Sequence, residues 1–274
     1  MSTQEILVEA GRTENLYWRD LWRYRELFYF LAWRDILVRY KQTVIGVLWS
    51  VLRPLLTMLI LTIVFGHFAK LPSHGVPYAL LVFSAMIPWQ FFSNAMSESS
   101  NSLISNEKLI SKVYFPRIII PASSVIVSFV DLLISGVLLA ALLGIYRFVP
   151  SSRICFLPFF ILLAFTAATG AGLWLSALNV KYRDFRYVVP FIVQFGTYIS
   201  PVGFLSEIVP DRWRLVYSLN PMVGVIDGFR WAILGSCFPL YVPGLLVSIT
   251  TAFMVLCCAV WYFRRMEKTF ADVI

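Results

Sequence analysis

Charge is scarce in this chain. Only 14% of its 274 residues are Asp, Glu, Lys or Arg, where a water-soluble domain carries about a quarter. That is too few to cover a water-facing surface, so most of the surroundings are expected to be lipid. Histidine is scarcer still. His67 and His74 stand in a short predicted loop with no carboxylate close in sequence, and they offer neither a metal set nor a serine–histidine pair. The four cysteines, Cys155, Cys237, Cys257 and Cys258, form no C-x-x-C pair and no zinc spacing. Cys257 and Cys258 fall in an apolar run and read as small hydrophobes; Cys155 and Cys237 share one predicted side, which leaves a disulfide between them open. The chain lacks a G-x-x-x-x-G-K-S/T phosphate loop and a G-x-S-x-G elbow. It is therefore expected to be no enzyme, with no catalytic residue, no metal and no cofactor of its own. No apolar core before an A-x-A site appears in the first fifty residues, so no cleavable signal is expected.

Long apolar runs are what the chain has instead. Apolar residues make up 59%, and mean hydropathy is +0.76. About 20 apolar residues cross a hydrocarbon core about 30 Å thick. Six runs meet that length, at 46–68, 77–97, 118–146, 154–180, 187–206 and 243–263. Pro239 and Pro243 separate the last from the residues before it. The runs are continuous rather than alternating, which means helices and not barrel strands, because lipid leaves no other way to pair the backbone. The expected fold is an all-α membrane protein of six spans over 46–263, with a cytoplasmic N-terminal part at 1–45 and a tail at 264–274.

The net charge of +8 follows the same plan. Of the 23 basic residues, 17 fall in 1–53, 98–117, 179–186 and 264–274. Basic loops stay inside, so both termini are expected in the cytoplasm of a bacterial cell, with the chain in its inner membrane. The charges cluster at the ends of apolar runs, which argues against nucleic acid as a partner and for membrane lipids.

Several segments carry more detail. Aromatic and basic residues mix from Tyr17 to Thr43, and Leu21, Tyr24, Phe28 and Leu31 recur at helical spacing. This reads as an amphipathic helix in the cytoplasmic interface, or as one docked on the protein. Segment 207–240 is too short in apolar residues to cross, and it is expected to form short re-entrant helices on the outer side. One of these starts at Asn220-Pro221, and Asp227 and Arg230 are spaced to pair on one helix face. In the third span Ser124, Ser128, Asp131 and Ser135 share a face. An ionisable residue in lipid is costly, so the stripe either lines a transport path or bonds to neighbouring helices; Arg53 is not an obvious partner for Asp131. Small residues four apart in the fourth span (Thr166 with Gly170, Ala168 with Gly172) allow close helix packing. Phe191, Phe195 and Tyr198 form an aromatic stripe on the fifth, and read either as lipid-facing or core rings or as a channel wall against which sugar rings stack. Pro190 and Pro201 are expected to limit that helix to two or three regular turns.

Four further stretches share an order and spacing. They are Arg39-Tyr40-Lys41-Gln42-Thr43 with Gly46, Trp49 and Pro54; Asn106 through Arg117 with Pro121; Asn179 through Arg186; and Leu219-Asn220-Pro221-Met222 with Gly228-Phe229-Arg230-Trp231. In these the chain resembles the ABC-2 exporter permeases, in particular the branch that exports lipid-linked polysaccharides such as O-antigen, capsule and teichoic acid. The resemblance runs from about Leu27 to Phe263. It implies a homodimer of six-span subunits with two separate ABC ATPase subunits on the cytoplasmic side, where ATP and Mg would be bound. It also implies a coupling helix around Ser99–Val113, with Asn106, Glu107, Lys108, Leu109 and Lys112 at the ATPase contact. The substrate path would include Phe191, Phe195, Tyr198, Ser128 and Asp131. The outer gate would hold Asn220, Pro221, Asp227 and Arg230. Trp33, Arg39, Tyr40 and Lys41 would receive the lipid-linked substrate at the membrane interface. The resemblance equally admits an ABC-2 exporter of drugs or small lipids. Outside it stand a membrane glycosyltransferase, for which no carboxylate cluster is evident, and an ion-coupled transporter working through Asp131.

Overall fold

A computed structural model of the chain describes residues 15–41, 44–235, 237–267 and 270. The side chain of Lys41, and Thr43, lie outside the described residues. Every regular element among the described residues is a helix. Two short helices, α1 (Asn15–Arg23) and α2 (Arg25–Lys41), precede α3 (Val44–Leu61), which runs on as a π-helical turn over Thr62–Phe68. Then come α4 (Tyr78–Ser105), α5 (Glu107–Ile110), α6 (Ile119–Ile145), α7 (Leu157–Lys181) and α8 (Phe185–Ile199). The chain ends with α9 (Asp211–Tyr217), α10 (Pro221–Leu234) and α11 (Val242–Glu267).

Among the described residues, five helical segments are long and apolar enough to cross a membrane: Leu48–Phe68, Tyr78–Ser105, Ile119–Ile145, Ser152–Lys181 and Val242–Glu267. The predicted span at 187–206 differs. Helix α8 has 15 residues, about 22 Å at 1.5 Å per residue, so regular helix covers only part of the predicted span. Pro201 disfavours helical backbone at the residue before it, and Ser200 is extended at φ −77°, ψ 150°. Pro190 does not break the helix as expected. It lies within the second turn of α8, where its missing N–H forgoes a single helical bond.

Helix α4 is the centre of the bundle. Buried residues make up 83% of its most apolar window, against 6% for the first span, and α4 packs on α6, α7, α8 and α10. Two glycines of α7 permit close approach, one to α4 and one to α11. A Cβ at Gly172 would lie 2.7 Å from Ser99 Cβ, and one at Gly170 would lie 2.9 Å from the backbone nitrogen of Leu256 on α11. The small-residue spacing in the fourth span is thus spent on helix contact. Helix α4 is also longer than the predicted span, continuing through 98–105. Ser99, Ser100, Ser102 and Leu103 are buried in its last turns, so only the second half of the predicted 99–113 loop is a loop.

The predicted N-terminal helix is divided by one residue, Tyr24. Its apolar face, Leu21, Tyr24, Phe28 and Leu31, packs against a cluster with Ile119, Phe263 and Phe270. That face therefore docks on the bundle. Trp22, Tyr29 and Phe30 point away and are exposed, and Trp33 stacks on Tyr29 at 6.3 Å. His67 belongs to the π-helical turn rather than to a loop. His74 does have a carboxylate beside it, Glu207 Oε2 at 3.2 Å, brought from 133 residues away. All four cysteines are free and exposed, so Cys155 and Cys237 are not bonded to each other.

Candidate functional site

The end of the bundle that carries α2 has three charged features. The first is the connection from α4 to α6. Asn106 closes α4, and its Nδ2 donates to the Ser102 carbonyl at 2.9 Å. Its Oδ1 accepts from Arg34 Nη2 at 3.0 Å. Ile110 is buried and Leu109 packs under the loop, so α5 is seated on the bundle by its apolar side. Glu107, Lys108 and Lys112 are left exposed. Of the five predicted contact residues, Asn106 and Leu109 thus fasten the loop and the three charged ones face outward. Tyr114, also exposed, was not foreseen, because an aromatic next to a span reads as a membrane anchor. A groove of about 390 Å³ separates this loop from the α7–α8 corner, with Glu107 on one wall and Asn179, Arg183 and Arg186 on the other.

The second feature is a polar cluster where the end of α2 reaches α4 and α6. Arg39 bridges two carboxylates. One guanidinium nitrogen donates to Glu98, and another lies 2.7 Å from Asp131 Oδ2. The Tyr40 hydroxyl donates to Asp131 Oδ1, and Ser128 donates to Glu98 Oε2 at 3.1 Å. Burial works against the Arg39 guanidinium, but the charges of Glu98 and Asp131 outweigh it and hold its pKa above the ordinary value. Burial, together with the bond to Asp131, also raises the Tyr40 pKa, so that hydroxyl remains a donor at any physiological pH. Ser128 is fully buried and Asp131 is enclosed by these partners. In this conformation both bond to neighbouring helices. Glu98 was missed because hydropathy ends the second span at residue 97. The helix ladder continues, and the helical spacing of the serines beyond it was the available signal.

The third feature is a cleft of about 530 Å³ between α2, α4 and α6, next to the same cluster.

Helix α8 presents Phe191, Phe195 and Tyr198 on one open face, at 58%, 50% and 65% exposure, with the two phenylalanine rings 4.2 Å apart. The other face is held to α4. Trp89 Nε1 donates to Thr197 Oγ1 at 2.9 Å, and Gly196 leaves room for the Trp89 ring.

At the opposite end, α10 begins as the sequence suggests. The Asn220 side chain caps it by accepting from Met222 N at 3.0 Å, and Pro221 occupies the first turn. The predicted Asp227–Arg230 ion pair does not form. Arg230 is 1% exposed, and its guanidinium donates to three backbone carbonyls: Leu81 at 3.2 Å, Phe204 at 2.8 Å and Val202 at 3.0 Å. The irregular backbone after α8 has carbonyls with no helical partner, and a buried guanidinium with five donors satisfies them. No group of three or more His, Cys, Asp or Glu able to hold a metal is present among the described residues.

Comparison with known proteins agrees with this architecture. The family described as ABC-2 type transporter matches residues 26–234. The chain is 27% identical over 256 residues to "O-antigen export system permease protein RfbA" of Klebsiella pneumoniae, covering 91% of this chain and 95% of that protein. It is 26% identical over 258 residues to the protein of the same name from Myxococcus xanthus, covering 93% and 98%. It is 23% identical over 206 residues to "Polysialic acid transport protein KpsM" of Escherichia coli, covering 73% and 78%. The family match takes in α2, the charged loop, the aromatic face of α8 and the capped α10, and this multi-pass membrane chain belongs to the ABC-2 type transporter family.

Proposed function

We propose that the chain is the membrane permease subunit of an ATP-driven pump that moves a lipid-linked polysaccharide of the O-antigen, capsule or teichoic acid type outward across the inner membrane. It works as a homodimer with two ABC ATPase subunits on the cytoplasmic side. Those subunits bind ATP and Mg and hydrolyse the nucleotide. The observation that carries this reading is α5. A membrane chain without a phosphate loop presents Glu107 and Lys108 outward on a short helix whose underside is buried, with Lys112 exposed just after it. Such a loop can pass force to the bundle, and coupling between two proteins requires a contact of that kind. The names of the similar proteins support the substrate class. The open faces of the first span and of α8 support a second copy: burial across them removes apolar surface from lipid and places Phe191, Phe195 and Tyr198 along a shared path. Aromatic rings stack on sugars of varied sequence, so such a wall lets a polymer slide. The segment from α9 to α10, held by Arg230, stands at the far end as the outer gate. Both termini lie in the cytoplasm.

The test is reconstitution of the chain with its ATPase in vesicles. Glycan transfer requires ATP and stops when the ATPase is catalytically inactive. Combined alanine substitutions at Glu107, Lys108 and Lys112 weaken ATPase association about tenfold, the loss of ~1.4 kcal/mol from rim charges. Transfer that continues with an inactive ATPase refutes the proposal.

A further inference from the structure

Helix α4 is the most enclosed of the membrane-crossing helices, and the little of it that stays uncovered is polar. Between residues 79 and 103 it is buried except at Gln90, Phe92, Asn94, Ser97, Glu98 and Asn101. Phe92 lies on the other side of the helix from Gln90 and packs on the core. The remaining five share one face, since 90, 94, 97 and 101 follow an i, i+4, i+7, i+11 spacing with Glu98 beside them. Open faces elsewhere are apolar. The first span exposes Leu52, Leu56, Leu59 and Ile63, which suits lipid or a second copy of the chain. The strip on α4 suits neither.

The members of this strip nearest α2 are already engaged. Glu98 is bonded to Arg39 and Ser128. Asn101 Nδ2 donates to the Ser97 carbonyl at 3.0 Å, and its Oδ1 accepts from Asn179 at 3.1 Å. Gln90 and Asn94 differ: among the described residues their side chains have no hydrogen-bond partner. Gln90 stands twelve residues from Tyr78, where α4 begins, or about 18 Å along a helix about 42 Å long. That is close to mid-membrane. A primary amide offers two donors and an acceptor, and leaving it bare in hydrocarbon is strongly disfavoured. Polar side chains at such depth face a neighbouring helix or a water-filled cavity, and no described helix of this chain supplies the partner. Beyond Gln90 the face closes, because residues 79–89 are all buried and Trp89 Nε1 donates to Thr197 Oγ1 of α8 at 2.9 Å. From Asn101 to Gln90 the open strip is about 16 Å long.

We propose that this strip is a water-filled lane rising from the cytoplasmic side to mid-membrane, and that the Gln90 and Asn94 amides contact hydroxyl groups of the transported glycan within it. The inference rests on the glycan-export reading and its orientation, and it adds to them two substrate-contacting residues on the central helix. Neutral amides bond hydroxyls in either direction, so successive sugars of a polymer exchange places there without a fixed register. The Trp89–Thr197 contact marks where the lane ends in this conformation, and a polymer passing beyond Gln90 requires α4 and α8 to part there.

The experiment uses the full chain with its ATPase in inside-out membrane vesicles, the four native cysteines replaced by alanine. Gln90→Cys, Asn94→Cys and Phe253→Cys, the last on the exposed apolar face of α11, are treated with a charged thiosulfonate. Gln90→Cys and Asn94→Cys are labelled and Phe253→Cys is not, because the reactive thiolate needs water. Lipid-linked polysaccharide extracted from the cells that make this chain slows labelling at both positions. Unlabelled Gln90→Cys and Asn94→Cys mean a dry face, and a disulfide between two copies through Gln90→Cys in place of labelling means a subunit contact; either result overturns the lane. Contact with glycan, rather than with water alone, is read from transfer. Gln90→Leu with Asn94→Leu lowers ATP-driven transfer of the same polysaccharide about tenfold, ~1.4 kcal/mol, as for about two net hydrogen bonds. Gln90→Asn with Asn94→Gln, which keeps both amides, retains most of it. The leucine pair melts no lower than the wild type, since it removes two unpaired amides, whereas a purely structural role would lower its melting temperature. A leucine pair that transfers as well as the wild type overturns the contact. Wild-type transfer with a dry face removes only this inference, and a wetted face in a chain that transfers nothing removes the export function and the glycan contact with it.

Discussion

Arg39 shows why a residue's place in sequence understates its role. It stands before the first apolar run, where a basic residue reads as a topology signal. In the fold it is the counter-charge for Glu98 and Asp131 at once. Arg39→Met therefore leaves two carboxylates without their cation. The expected loss is about 2–3 kcal/mol, toward the low side of the buried-pair range because a third of the Arg39 side chain is exposed. It should appear as a lower melting temperature in detergent. Adding Glu98→Gln and Asp131→Asn to Arg39→Met should return most of the loss, since removing all the charges is far cheaper than stranding two. An equally unstable triple variant would show that Arg39 acts through packing rather than charge. Asp131 was legible in the sequence as costly and in need of a partner. Which partner it takes was not, because 91 residues separate it from Tyr40.

Among the elements, α10 is the most tightly specified. Its start was readable from Asn220-Pro221, a local signal in which one side chain caps the next turn. Its contacts were not readable. Gly228 faces the Phe160 ring so closely that a Cβ would lie 2.0 Å from Cε1, and Phe160 is itself buried. Gly228→Ala should destabilise the chain by about 1–3 kcal/mol through overpacking. Gly228→Ala combined with Phe160→Leu should recover part of it. Circular dichroism during heating reads both, and a Gly228→Ala chain as stable as the wild type would mean that α7 and α10 separate more easily than their packing implies. The five long apolar helices were located by hydropathy to within a few residues, with one informative exception. Helix α4 outlasts its apolar run because its last turns are covered by protein, not lipid, and serines suit a buried helix where their hydroxyls bond to carbonyls of α4 itself or, from Ser99, of Pro121 on α6.

At the scale of the whole molecule, the distribution of basic residues predicts which end faces the cytoplasm, and the free cysteines allow a check. A thiol reagent that cannot cross membranes should label Cys155 and Cys237, both exposed, in intact cells. In a chain lacking those two, Lys112→Cys should be labelled only after the membrane is opened. The reverse pattern would invert the orientation and place α5 out of reach of any cytoplasmic ATPase. What the sequence by itself determined is the solvent, the helical class and the approximate spans. These depend on the composition of contiguous segments, which lipid tests one segment at a time. Only the tertiary structure decided that Arg39 neutralises Glu98 and Asp131, that Arg230 bonds carbonyls instead of Asp227, and that α8 gives way to irregular backbone at Ser200. Polar groups in a packed bundle take partners according to which helices lie side by side. That adjacency is a property of the assembled core and is written in no single segment.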